Sequence, residues 1–269
     1  MNKGVIIGAV VAVVVLAAGG LVISSLFQPV ERELVSSAPA QLQSSTESTA
    51  STESTAPESS SLPETDPFVG APIPQNEDMA DSSWLDDAIF IGDSLTYGLS
   101  SYQILPEEQV LAHTGINPQT ILTSECIETA NGTKTVLDAL AEKSPGKIYI
   151  MLGANGVGFL SSENIVENYG QLIDGIRELF PDVPIYVQSI LPVTAEKSSD
   201  SRYANSKIDQ YNADIAQMAA DKEVYYLNVA EALKDENGNL PTELSGDGMH
   251  FGPSTYEKWL EYLRCHRAE

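Results

Sequence analysis

Basic residues are scarce in this 269-residue chain: 14 Lys and Arg stand against 38 Asp and Glu, a formal net charge of −24. Such a balance repels nucleic-acid phosphates and anionic lipid headgroups, so nucleic acid and other polyanions are not expected partners. It leaves a solvated surface, or attraction of cationic substrates. Histidine is scarcer still, three in all, and the only two cysteines are Cys126 and Cys265. Neither the close Cys/His spacing of a structural zinc site nor a helical metal-binding motif can be drawn from them. A Gly-rich phosphate loop ending in Lys and Ser/Thr is also lacking. No metal and no cofactor are therefore expected. Outside the cytoplasm the two cysteines have a redox environment in which to pair, but their wide separation gives no geometry, and two free thiols are the expectation.

Charge is absent altogether from Gly4 to Phe27, a run dominated by Val, Ile, Leu and Ala. As a helix, 24 residues reach about 36 Å, more than the roughly 30 Å of a bilayer's hydrocarbon core. The run also exceeds the about 7–15 apolar residues of a secretory signal, so an uncleaved transmembrane anchor over residues 1–30 is expected, with secretion after signal cleavage as the alternative. Lys3 precedes the run and Glu31, Arg32 and Glu33 follow it, which places the carboxyl-terminal bulk outside the cytoplasm. Gly4, Gly8 and Ala12 form a small-residue face able to pack a helix pair, though such residues are common in spans; the catalytic domain is expected to be monomeric. Apolar side chains then nearly vanish. Residues 31–80 are rich in Ser, Thr, Glu and Pro and repeat Ser-Thr-Glu-Ser-Thr-Ala at 45–50 and 51–56. So little burial cannot offset the entropy of ordering, so this stretch reads as a disordered linker, with glycosylation left open.

From residue 81 to 269 the pattern is that of one compact domain, whose 29 acidic and 12 basic side chains leave it at about −17. Short apolar runs at Ala88–Ile91, Gln109–Ala112, Lys147–Leu152, Pro184–Ile190 and Val224–Val229 predict five buried strands. Between them, helical spacing relates Ile165, Tyr169, Leu172, Ile173, Ile176 and Phe180. The same spacing relates Ile208, Tyr211, Ile215 and Met218, and finally Tyr256, Trp259, Leu260 and Leu263. Strands alternating with helices of this length predict an α/β fold: a mostly parallel five-stranded sheet covered on both faces, with ligands at the carboxyl ends of the strands.

The first predicted strand runs straight into Gly92-Asp93-Ser94-Leu95, which puts a serine on a strand-to-helix turn, an address suited equally to a nucleophile and to an ordinary helix cap. Asp247-Gly248-Met249-His250 lies just before Pro253, a residue suited to the first turn of the last helix. Three residues apart on a turn, the carboxylate can hold Nδ1–H while Nε2 faces the serine as a general base. The alternative is a capping Asp beside an exposed His.

Taken together, four blocks resemble the SGNH/GDSL hydrolases over residues 84–265. They are Ile89 through Gly98 with its Gly92-Asp93-Ser94-Leu95 core, Gly115-Ile116-Asn117, Gly153-Ala154-Asn155, and Asp247 through His250. The resemblance implies a flavodoxin-like three-layer α/β/α sandwich, with Ser94, Asp247 and His250 as a catalytic triad. It also implies an oxyanion hole built from the backbone N–H groups of Ser94 and Gly115 and the Asn155 amide, where a donor is required. Two positions depart from the family's pattern: Gly156 stands where an Asp is frequent, and Pro118 where another Gly is frequent. Asp93 is read as organising the turn, His113 as a packed or pocket-wall residue, and His266 as a helix-terminal cation.

The activity so implied is that of a serine esterase working through an acyl-enzyme, with small-molecule or glycan esters as substrates and short acyl groups favoured. Acyl transfer to a cell-envelope carbohydrate uses the same triad and stays open, and a non-catalytic binding module is the third reading. Metal-assisted hydrolysis through His113, Asp247 and His250 lacks supporting ligands.

Overall fold

The computed structural model describes residues 68–70, 72–76 and 82–268. The expected membrane span and most of the expected linker lie outside them, and among the described residues no helix is long and apolar enough to cross a membrane.

Five parallel strands form the central sheet: β1 (Ala88–Gly92), β2 (Val110–Ala112), β5 (Lys147–Met151), β6 (Ile185–Gln188) and β7 (Tyr225–Leu227), in the order β2-β1-β5-β6-β7. All five coincide with the predicted apolar runs, β1 extended by one residue to Gly92 and the other four trimmed by a residue or more. A separate antiparallel hairpin, β3 (Ile127–Thr129) with β4 (Gly132–Lys134), was not foreseen.

Among the described residues seven α-helices flank or connect the strands: α1 (Ser94–Ser101), α2 (Val136–Leu140), α3 (Ser162–Leu179), α4 (Ala195–Ser198), α5 (Asn205–Asp221), α6 (Ala230–Leu233) and α7 (Pro253–Cys265). Alternation along the strands sorts the core into two layers. Ile89, Ile91, Ile148, Ile150, Ile185 and Val187 meet the predicted apolar stripes of α3 and α5. On the opposite face, Phe90, Tyr149 and Tyr186 pack with Leu95 and Leu99 of α1 and Tyr256, Trp259, Leu260 and Leu263 of α7. This is the expected three-layer arrangement.

Register is visible in one row of rings. Phe90 pairs with Tyr149, Tyr149 with Tyr186, and Tyr186 with Tyr225 across neighbouring strands, and their centroids stack at 5.1, 4.8 and 4.8 Å. The Trp84 indole donates to the Tyr149 hydroxyl at 2.9 Å, giving the row its polar partner.

One stretch departs from the expected linker. Residues 68–70 and 72–76 run against the domain: Ile73 is 5% exposed, Phe68 packs on the α7 side of the core, and the Asn76 N–H donates to the Cys265 carbonyl at 2.8 Å. Phe68 and Ile73 supply the apolar surface that the Ser/Thr/Glu repeats lack, so the packed unit begins well before residue 81. Neither cysteine is in a disulfide among the described residues; Cys126 is half-buried and Cys265 is buried at the end of α7.

Candidate active site

Strand order reverses between β2-β1 on one side and β5-β6-β7 on the other, so β1 and β5 flank the switch point where open α/β sheets bind ligands. Ser94 follows β1 and Asn155 follows β5. Asp93 caps α1, its Oδ1 accepting the Leu95 N–H at 3.1 Å, and this turn sets Ser94 as the first helical residue. The Tyr256 hydroxyl donates to the Leu95 carbonyl at 2.9 Å and ties the same turn to α7.

His250 arrives from the far end of the chain. Its Nε2 lies 2.8 Å from Ser94 Oγ, and its Nδ1 lies 2.7 Å from Asp247 Oδ2. The other carboxylate oxygen, Oδ1, accepts the backbone N–H groups of His250 at 2.8 Å and Met249 at 3.0 Å, and the Ser245 hydroxyl at 3.2 Å. Desolvation pushes the Asp247 carboxyl up, but the His250 ring and these backbone donors outweigh it and hold the group well below the usual carboxylate range. Asp247 is therefore charged whenever His250 is asked to take a proton.

Two devices place this loop. Gly248 has φ +87°, and a Cβ there would sit 2.8 Å from both Lys197 Cβ and Thr194 Oγ1, so only glycine fits the approach. Its carbonyl accepts the Thr194 N–H at 2.9 Å, fastening the loop to the segment after β6. That segment is in turn clamped by two buried amides of α5. Asn212 exchanges two hydrogen bonds with the Ile190 backbone at 2.7 and 2.9 Å, and Asn205 two with Val193 at 2.9 and 2.8 Å.

The Asn155 amide donates to the Ile116 carbonyl at 3.0 Å, bringing it to the turn that carries Gly115, which has φ +84° and an open approach. The two departures from the family pattern meet here: a Cβ at Gly156 would lie 3.4 Å from Pro118 Cδ. Both changes thus belong to one contact between the loops after β2 and β5.

Asp93 holds more than a turn. It is wholly buried, and Oδ2 has no hydrogen-bond partner among the described residues. Desolvation pushes its pKa up to about 6, against the lowering influences of the Leu95 N–H, the His250 ring and the N–H groups of Asn155 and Gly153. The last two face the carboxylate without reaching hydrogen-bond geometry at Oδ2. Sequence reasoning assigned Asp93 to the turn; its position following a strand that is buried at every residue was the available sign of burial. His113 is exposed and lines a cleft. His266 differs from expectation: it is buried, stacks on Tyr262 at 3.7 Å, and its Nδ1 donates to the Tyr262 carbonyl at 2.8 Å, because α7 ends inside the packed surface.

The triad is not sheltered: the Asp247 side chain is 59% exposed and that of His250 48%. A hydroxyl, an imidazole and a carboxylate thus stand in one hydrogen-bonded chain at the rim of a parallel sheet, an arrangement in keeping with a carboxylic ester hydrolase. The chain belongs to the GDSL-like lipase/acylhydrolase family, whose pattern it matches over residues 90–258. Solved structures with the same fold include a Streptococcus pneumonia protein described as a platelet activating factor, at 22% identity, covering 70% of this chain and 87% of that one with a TM-score of 0.52. A GDSL-like lipase from Parabacteroides merdae is similar at 11% identity, with 68% and 95% covered and a TM-score of 0.51. An acylhydrolase from Bacteroides fragilis is similar at 15% identity, with 71% and 88% covered and a TM-score of 0.50. At these identities they speak for the fold alone. No curated protein matches the sequence significantly.

Proposed function

We propose that Ser94 attacks the carbonyl of a short acyl ester on a glycan, His250 taking its proton and returning it to the leaving alkoxide, and that water then releases the acid from an acyl-enzyme. The backbone N–H groups of Ser94 and Gly115 and the Asn155 amide receive the oxyanion. The observation that carries this reading is the continuous chain from Ser94 Oγ through His250 to Asp247 at 2.8 and 2.7 Å. Labelling with a fluorophosphonate and mass spectrometry tests it: the adduct is expected on Ser94, and a folded domain that does not label is a binding module instead.

The half-exposed histidine favours hydrolysis over acyl transfer, since water reaches the acyl-enzyme freely. Incubation with an activated acetate ester and a sugar acceptor separates the two by whether free acetate or acetylated sugar accumulates. Short acyl groups on glycans are favoured by the inferred extracytoplasmic location and by a sequence without a long apolar segment suited to a lid. Comparing acetyl, butyryl and long-chain esters checks this, and a marked preference for long chains overturns it. We also infer anchoring by residues 4–27 with the domain outside the cytoplasm, supported by the uncharged run and the Lys3 flank. Protease accessibility of the domain in intact cells is the test.

A further inference from the structure

Tyr97, His113 and Thr114 line a cleft of about 870 Å³. Tyr97 lies one helical turn along α1 from Ser94, and Thr114 directly precedes Gly115, so two lining residues adjoin the proposed nucleophile and oxyanion donor along the chain. The cleft follows the open edge of β2, the outermost strand, with α1 on one wall and the β3–β4 hairpin on the other. Its volume falls within the about 300–1,000 Å³ typical of small-ligand sites.

Two features of the lining describe an occupant. The Tyr97 ring is 46% exposed and makes no ring contact among the described residues. A sugar's C–H face is a good match for such a ring, which is rigid, apolar across its face and polar at its tip. The remaining lining is rich in acceptors and strongly asymmetric in charge. Glu107, Glu108, Glu128 and Glu142 face Lys143 alone, and Glu142 is already tied to Lys134 at 2.5 Å. Hydroxyl and ammonium groups find acceptors here, whereas a carboxylated or phosphorylated sugar meets like charge.

Building on the esterase reading of Ser94, we propose that this cleft is the subsite for the alcohol portion of the substrate. It receives a neutral or amino-bearing pyranose stacked on Tyr97, with the Glu108 and Glu128 carboxylates accepting its donors. Anionic sugars are rejected.

Binding and turnover are measured separately. In the Ser94→Ala protein, affinities for the methyl glycosides of a neutral hexose, an amino hexose and a uronic acid are compared by ligand-observed NMR. The amino sugar is expected to bind tightest and the uronic acid weakest, and adding Tyr97→Ala weakens the first two about tenfold, the loss of one aromatic platform. Tyr97→Trp restores binding, which a merely structural role for Tyr97 does not predict. With Ser94 present, Tyr97→Ala lowers the ratio of kcat/KM for acetylated sugar over aryl acetate by about tenfold. Aryl acetate turnover without sugar binding, or with binding indifferent to Tyr97, overturns the subsite and leaves the esterase reading standing. Sugar binding that depends on Tyr97, in a protein without esterase activity, overturns the catalytic reading and leaves the subsite.

Discussion

Burial gives Asp93 a role in folding that its place in a turn does not suggest. Its carboxyl is pushed up to about 6 by desolvation, against about 3.9 in an unfolded chain. Between these values the unfolded state gives up the proton first, so the contribution of Asp93 to stability is intact below about pH 4 and is lost as pH rises toward 6. The loss amounts to about 3 kcal/mol, at about 1.4 kcal/mol per pH unit. Relative to wild type, Asp93→Asn is expected to gain that stability progressively across this window; parallel curves from urea unfolding at pH 4, 5, 6 and 7 would refute it. Asn155→Ala is expected to lower turnover by about 10²–10³ with little change in KM, because a donor to the oxyanion acts mainly in the transition state. Steady-state kinetics on an aryl acetate decide the matter, and unchanged turnover removes Asn155 from that role. The meeting of Ser94 with His250 and Asp247 was foreshadowed because the serine follows a strand and the other two stand three residues apart on the loop entering α7. The full burial of Asp93 was harder to read, since its surroundings include groups distant in the chain, among them Gly153 and Asn155 in the loop after β5.

Among the elements, the long ones announced themselves. α3, α5 and α7 each carry an apolar stripe over several turns, and five strands are continuous apolar runs because both faces of their sheet are covered. The β3–β4 hairpin has three residues a side, too few for alternation to register, although Asn131-Gly132 offered a turn signal. α2 and α4 are equally short, and their N-caps Thr135 and Thr194 matter more than any periodicity. The contact that positions the His250 loop also escapes sequence reading, since Thr194 and Gly248 are far apart in the chain. Gly248→Ala is expected to cost about 1–3 kcal/mol from the left-handed backbone, and to depress kcat by far more than the fraction unfolded explains. Thermal melts beside kcat measurements check this: a kcat loss no larger than the folded fraction predicts would mean that the loop position does not govern catalysis. Asn205→Ala, which strips a buried bidentate clamp from Val193, is expected to destabilise by about 1–3 kcal/mol in the same melts.

For the molecule as a whole, the boundary between linker and domain was the feature composition misplaced. A window rich in Ser, Thr, Glu and Pro hides the buried Ile73, which packs on the domain together with Phe68 while Asn76 bonds the end of α7. Ile73→Ala is expected to destabilise by about 2 kcal/mol, near the lower end for such truncations, without altering kcat/KM for an aryl ester. A shift in kcat/KM would show that this segment communicates with the catalytic rim. The attachment point has a mechanical meaning as well. α7 begins three residues after His250 and ends about 20 Å away at Cys265, where Asn76 is bonded. Tension drawn through the amino-terminal chain therefore enters the foot of α7 and must peel Ile73 and Asn76 away before it loads β1, the strand that aims Ser94.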